Sequence, residues 1–158
     1  MVIHLNLLRM MTKMPKNIIA DTGFWIAYFD ERDQYHNDAI KEGPFIFKNK
    51  IICPFPSLYE FLNTKFTKNK KQLISYELLL KELNIEYIYD DNYRSNILGD
   101  FISYNKKSMN ISLVDLIINQ IIEDVNVKID FMVTFNRKDF YTTCGKRNIK
   151  FLPEKSDF

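Results

Sequence analysis

The run Asn17-Ile18-Ile19-Ala20 ends abruptly in Asp21-Thr22-Gly23, and a second apolar run, Phe24-Trp25-Ile26-Ala27-Tyr28-Phe29, starts at once. A carboxylate set between two segments apolar enough to be buried is costly unless it is paired or coordinating. A buried parallel strand reads this way when it stops at the working edge of an α/β sheet. In open sheets of that kind, ligands bind beyond the carboxyl ends of the strands. The question for the rest of the chain is which other carboxylates reach the same edge.

The pattern that follows alternates strands with helices. Thr22 is placed to cap a helix over 24–29, with Gly23 allowing the tight turn. That helix is apolar nearly all round, so it is expected to be buried, with self-association through the Phe24–Phe29 region as a second use and a homodimer as its consequence. A second helix is expected over 34–42, ending near Gly43-Pro44. Lys50 to Pro54 reads as a second strand, and Pro56-Ser57 opens a helix whose apolar stripe is Leu58, Phe61 and Leu62, with Glu60 off it. Helical spacing returns over 72–83 and 92–105, around a third strand over 85–89. Ser112 caps a strong helix over 113–123. Phe131 to Phe135 reads as a fourth strand, 136–140 as a turn or short helix, and 149–151 as a fifth, edge strand. The alternation predicts a single α/β domain built on a central parallel sheet of four to five strands flanked by helices. We place that domain at residues 17–152. Residues 1–16 read as an N-terminal extension, disordered or lying ahead of the true start (Met10, Met11 and Met14 are alternatives), and 153–158 as a tail.

Composition narrows the class of function. Of the 158 residues, 46% are hydrophobic, which fits a folded domain with a real core. The net charge of +2 is too small to mark a nucleic-acid binder by itself. It matters more if several acids are gathered in one pocket, because the remaining surface is then more basic than the total suggests. Cys53 and Cys144 stand far apart, with no zinc spacing around them, and suit a reducing, cytoplasmic setting. No apolar run has the length of a membrane span, so no membrane partner is expected. His4 falls in the extension, and His36 reads as a surface or packing residue.

Four carboxylates share a destination. Asp21 closes the first strand. Glu60 lies about one turn into the helix after the second. Asp115 lies in the first turn of the helix that Ser112 caps, at capping-box spacing. Asp139 follows the fourth strand by a few residues. Each has an ordinary reading when taken singly: Asp115 as a helix-cap residue, Glu60 as a solvated helix residue, Asp139 as a turn residue. Together they face one edge of an open parallel sheet. Clustered carboxylates repel, and a hard divalent cation relieves the repulsion. An all-oxygen donor set suits Mg2+ or Mn2+. Such a site can activate water and neutralise a phosphodiester.

These residues, in this order, resemble the PIN-domain ribonucleases, most closely the VapC-like toxins of toxin–antitoxin pairs. The likeness spans about residues 17–152. It is carried by Ile18-Ile19-Ala20-Asp21-Thr22-Gly23-Phe24-Trp25-Ile26-Ala27, by Asp33-Gln34-Tyr35-His36, by Pro56 to Leu62 around Glu60, by Ser112-Leu113-Val114-Asp115-Leu116-Ile117, and by Val133 to Phe140.

The resemblance implies a Mg2+- or Mn2+-dependent endoribonuclease with Asp21, Glu60, Asp115 and Asp139 as its metal-binding acids. Thr22, Ser112, Thr134 and Asn136 are its supporting residues. Some relatives carry the last acid where this chain has Asn136, so Asp139 and Asn136 compete for that place. RNA is the implied substrate, cut so as to leave a 5′-phosphate and a 3′-hydroxyl. Lys65, Lys68, Lys70, Lys71, Lys106, Lys107, Arg137 and Lys138 are candidates to grip its backbone, and Tyr or Phe at the rim could stack on unpaired bases. A small antitoxin is the implied protein partner. The alternatives are an RNA-processing nuclease that is not a toxin, and a catalytically silent PIN-like domain that binds RNA or protein.

Overall fold

The computed structural model describes residues 14–154. The expectations for the N-terminal extension up to residue 13, His4 included, and for the tail from residue 155 lie outside the described residues. Five strands form one all-parallel sheet: β1 (Asn17–Ala20), β2 (Lys50–Pro54), β3 (Asn84–Ile88), β4 (Phe131–Val133) and β5 (Lys150–Leu152), in the spatial order β3-β2-β1-β4-β5. Among the described residues, seven α-helices flank it: α1 (Thr22–Phe29), α2 (His36–Phe47), α3 (Phe55–Leu62), α4 (Lys70–Glu82), α5 (Ile97–Lys106), α6 (Leu113–Glu123) and α7 (Tyr141–Lys146).

The strand pattern explains the two-sided core. Side chains alternate across a strand. Ile18 and Ala20 of β1 therefore join Ile51 and Val133 on one face, where Phe24, Trp25 and Phe61 cover them. Ile19, Ile52 and Met132 point to the other face and pack under Ile118, Ile121 and Ile122 of α6. Central strands buried on both faces must be apolar at every position, which is why β1 has no polar alternation. The edge strand β3 carries exposed positions instead. Cys53 and Cys144 are buried and unpaired, and burial pushes both thiols up to about 12. Among the described residues no helix is long and apolar enough to cross a membrane.

The order of the strands fixes where a ligand can enter. From β1 the chain moves outward through β2 to β3, then crosses to β4 on the other side of β1 and on to β5. The direction reverses between β1 and β4, so the crevice of this sheet opens at their carboxyl ends. Asp21 and Thr134 are the residues that directly follow those two strands.

Several local expectations need correction. The second helix does not stop at Gly43-Pro44 but continues to Phe47. Proline there withholds one helical N–H, yet the turn is kept by packing. Ile46 is fully buried, and a Cβ on Gly43 would meet Tyr28 Cε2 at 2.8 Å, so only glycine lets α2 lie this close to α1. The helix expected over 92–105 starts later, at Ile97, because Asp90 to Asn96 forms a turn that ends with Asn96 at a left-handed φ of 67°. The fourth strand ends at Val133, two residues early, and α7 follows unforeseen. Phe24, Trp25 and Ala27 of α1 are buried within this one chain, in line with the burial expected of that helix.

Candidate active site

Asp21 is the N-cap of α1, the role expected of Thr22. Its Oδ1 accepts the Thr22 backbone N–H at 2.7 Å. An extended residue with a short carboxylate at the head of a helix suits that place. Its Oδ2 accepts the Thr134 hydroxyl at 2.9 Å, and the Thr134 oxygen in turn accepts the Asn136 backbone N–H at 3.0 Å. The Thr22 hydroxyl is turned elsewhere: it reaches the Ser57 carbonyl at 3.4 Å and ties the head of α1 to that of α3. Among the described residues, Ser57 Oγ is buried without a hydrogen-bond partner.

Asp21 is 8% exposed. Burial pushes its carboxyl up to about 6. The Thr134 hydrogen bond acts against this, repulsion from Asp115 adds to it, the Thr22 hydrogen bond opposes it, and repulsion from Glu60 adds further. Asp115 is half-buried on the third residue of α6. The Ser112 hydroxyl caps that helix by accepting the Asp115 N–H at 2.9 Å, and it donates to Asp115 Oδ2 at 2.7 Å. Burial raises the Asp115 carboxyl, the Ser112 hydrogen bond lowers it, and repulsion from Asp139 and Glu60 raises it again. Asp21 thus feels the charges of Asp115 and Glu60, and Asp115 those of Asp139 and Glu60. Glu60 is exposed on α3, which packs against α6. Asp139 is half-buried at the end of a single 3-10 turn, and its Oδ2 accepts a hydrogen bond from Asn136 Nδ2. Asp139 and Asn136 are thus hydrogen-bonded to each other.

Asn119 escaped the sequence reading. Its Nδ2 donates to the Asp115 carbonyl at 3.0 Å and to the Asp139 carbonyl at 2.9 Å, linking α6 to the turn that carries Asp139. The Thr143 hydroxyl donates to Asn119 Oδ1. The available signal was an amide four residues after Asp115, hence on the same helix face, inside the apolar run Leu116 to Ile122.

Two cavities, one lined by Asp21 and the other by Asp139, share Lys138. One, of about 460 Å³, is lined by Asp21, Gly23, Tyr35, Phe135, Asn136 and Lys138, among others. The second, of about 390 Å³, includes Asp139, Asn119, Lys138, and Asp100 and Tyr104 of α5. The remaining basic candidates are scattered. Lys106 and Lys107 are exposed at the end of α5. Lys65 lines a separate cavity of about 260 Å³. Arg137 turns away from the acids, with its guanidinium over the Phe151 ring and donating to the Pro153 carbonyl. His36 is a packing residue, its Nδ1 2.8 Å from the Ala27 carbonyl oxygen. Among the described residues, no three His, Cys, Asp or Glu side chains lie close enough to hold one metal ion between them.

Comparison with solved structures defines the fold. The chain is similar to the VapC20 toxin of Mycobacterium tuberculosis, which cleaves the sarcin-ricin loop. The TM-score is 0.61 and the identity 12%, over 79% of this chain and 94% of that one. VapBC2 from Rickettsia felis, solved bound to a DNA fragment from its promoter, gives 0.55 and 19%, over 85% and 96%. DNA-bound VapBC from Salmonella typhimurium gives 0.55 and 16%, over 87% and 97%. No protein-family model matches the chain, and no curated protein matches it. The chain has a VapC-like PIN fold.

Proposed function

We propose that the chain is a metal-dependent endoribonuclease and the toxin of a toxin–antitoxin pair. The observation that carries this reading is Asp21, a buried carboxylate held by Thr134 at the reversal point of the sheet, with the charges of Asp115 and Glu60 acting on it and that of Asp139 acting on Asp115. The toxin fold of the similar structures supports it.

The donor set is all oxygen, which fits Mg2+ or Mn2+. Magnesium keeps several waters and needs only one or two direct carboxylates, so three converging acids are not required. Asp21 and Asp115 would hold such an ion, with Asp139 and Glu60 acting through water. When bound, the ion offsets the repulsion among the acids, polarises a phosphoryl oxygen and acidifies water.

The chain's own residues supply the rest. Thr134 and the Thr22 N–H fix the Asp21 carboxylate, and Ser112 fixes that of Asp115. Glu60 is free to orient the attacking water. Lys138, exposed and shared by the two cavities, is placed to neutralise a backbone phosphate. In-line attack on phosphorus then expels the 3′-oxygen and leaves a 5′-phosphate.

The test is cleavage of a mixed RNA pool by pure protein with Mg2+, with EDTA, and by Asp21→Asn. Cutting only by the wild type with Mg2+ is the expected result. A folded wild type that cuts no more than Asp21→Asn overturns the enzyme reading. A second reading, a PIN-like domain that binds without cutting, draws on the lack of three convergent acid groups among the described residues. RNA retained without cleavage in the same assay would favour it. The toxin role predicts a small protein encoded beside this gene that inserts a helix or tail carrying a basic residue into the acidic crevice and abolishes cleavage.

A further inference from the structure

Tyr35 and Phe135 come from opposite ends of the chain and lie face to face, with ring centroids 4.5 Å apart and planes within 2° of parallel. Tyr35 is still 37% exposed, and both rings line the cavity of about 460 Å³ that also holds Asp21, Asn136 and Lys138. A cavity of that size suits a nucleotide. Phe135 packs against the core, so the face left open to further stacking is that of the more exposed ring, Tyr35.

The platform is held in place on both sides. The Tyr35 N–H donates to Asp33 Oδ1 at 2.8 Å, and its carbonyl accepts the Ala39 N–H at 2.9 Å at the head of α2. Phe135 sits between Thr134 and Asn136, whose backbone N–H is bonded to the Thr134 hydroxyl. The rings therefore share a backbone scaffold with Asp21, and their mutual stack limits the side-chain freedom left to lose on binding.

We infer that the Tyr35–Phe135 pair is a binding site for one unpaired nucleobase of a single-stranded RNA, next to the phosphate presented to Asp21. The inference rests on the ribonuclease reading for its choice of ligand. The charge pattern agrees with it: Lys138 supplies a cation for the backbone at the cavity mouth, and Gln34 offers an amide to a base edge. A duplex keeps its bases stacked on each other, so this site selects unpaired segments.

The experiment measures binding of a short single-stranded oligoribonucleotide carrying the fluorescent base 2-aminopurine, moved stepwise along the strand. It is done in the Asp21→Asn background with Mg2+, which removes cleavage. Stacking should quench the fluorophore strongly at one position. Tyr35→Ala should abolish that quenching and weaken binding at least fivefold, the lower end of what one stacked base contributes, while Tyr35→Phe retains both. An abasic nucleotide at the quenched position should weaken binding by a similar factor with no change to the protein, which covers the case of a Tyr35→Ala chain that fails to fold. Equal binding by Tyr35→Ala, or indifference to the abasic nucleotide, overturns the site. The parent reading fails separately: quenching at one position together with a wild type that never cuts RNA sinks the nuclease and keeps the base site, and cutting by an otherwise wild-type chain that is indifferent to Tyr35→Ala does the reverse.

Discussion

The Thr134 hydroxyl donates to Asp21 Oδ2 at 2.9 Å across the gap between the carboxyl ends of β4 and β1. Both residues are buried, and Thr134 is fully so. The bond stabilises the charged form of a carboxyl that burial drives the other way. Thr134→Val keeps the shape of the side chain and removes the hydroxyl. The Asp21 carboxyl should then rise above about 6, and activity near neutral pH should fall with the acid limb of the rate profile displaced to higher pH. A hydrogen bond to a charged group contributes about 1.5–3 kcal/mol, so the displacement should approach about one pH unit or more. Thr134→Ser should restore the wild-type profile. An unmoved acid limb in Thr134→Val would remove this bond from the account of the site.

The same burial makes Asp21 a cost to the fold. Its carboxyl rises from 3.8 to about 6 on folding, so the folded state binds the extra proton. Stability from this group is fully present below about pH 4 and is lost as pH climbs through about 6. The difference corresponds to roughly 3 kcal/mol at neutral pH. Asp21→Asn removes the charge, and thermal unfolding in EDTA should show it more stable than wild type above pH 6, with the gap closing toward pH 4. Mg2+ should raise the melting temperature of the wild type and leave Asp21→Asn unmoved. A variant less stable than wild type at pH 8 would contradict the burial argument.

Much of this arrangement was legible in the chain. An acid between two buried apolar runs could only be a strand end meeting a helix, and Ser112 with Asp115 marked the start of α6 to the residue. The parallel sheet followed from the same alternation. What escaped the reading depends on tertiary contact. Pro44 reads locally as a helix end, but Gly43 against Tyr28 and the burial of Ile46 carry the helix through it. Thr22 and Asp21 are both good caps by type, and the backbone, extended at Asp21 and already helical at Thr22, decided between them. Asn119 has no local partner except Asp115, and its second bond goes to a turn twenty residues away. The stack of Tyr35 on Phe135 joins residues a hundred positions apart, which no spacing rule can see.

Asn119 should matter through position. It braces the Asp139 turn against α6 with no charge of its own. Asn119→Ala leaves the Asp139 carbonyl without that donor and lets the turn drift. Partners that orient ligands typically change metal affinity or activity by about 10–100-fold. The expected result is a loss of that order in apparent Mg2+ affinity, with stability reduced by about 1–2 kcal/mol. Isothermal titration with Mg2+ and urea unfolding measure the two separately. Mg2+ affinity unchanged in a variant that is less stable would make Asn119 a fold residue only.

Asn136 and Asp139 can be separated by a double-mutant cycle. The Asn136 backbone N–H bonds Thr134, and that bond survives any side-chain change, whereas its amide bonds Asp139 Oδ2. Asn136→Ala therefore removes only the orientation of Asp139. Asp139→Ala removes the carboxylate itself and should cost more activity, while Asn136→Ala should cost about tenfold. If the amide works through the acid, Asn136→Ala should cost nothing further in an Asp139→Ala background, because interacting residues are not additive. Full additivity of the two losses in kcat/KM would mean that Asn136 meets the substrate on its own.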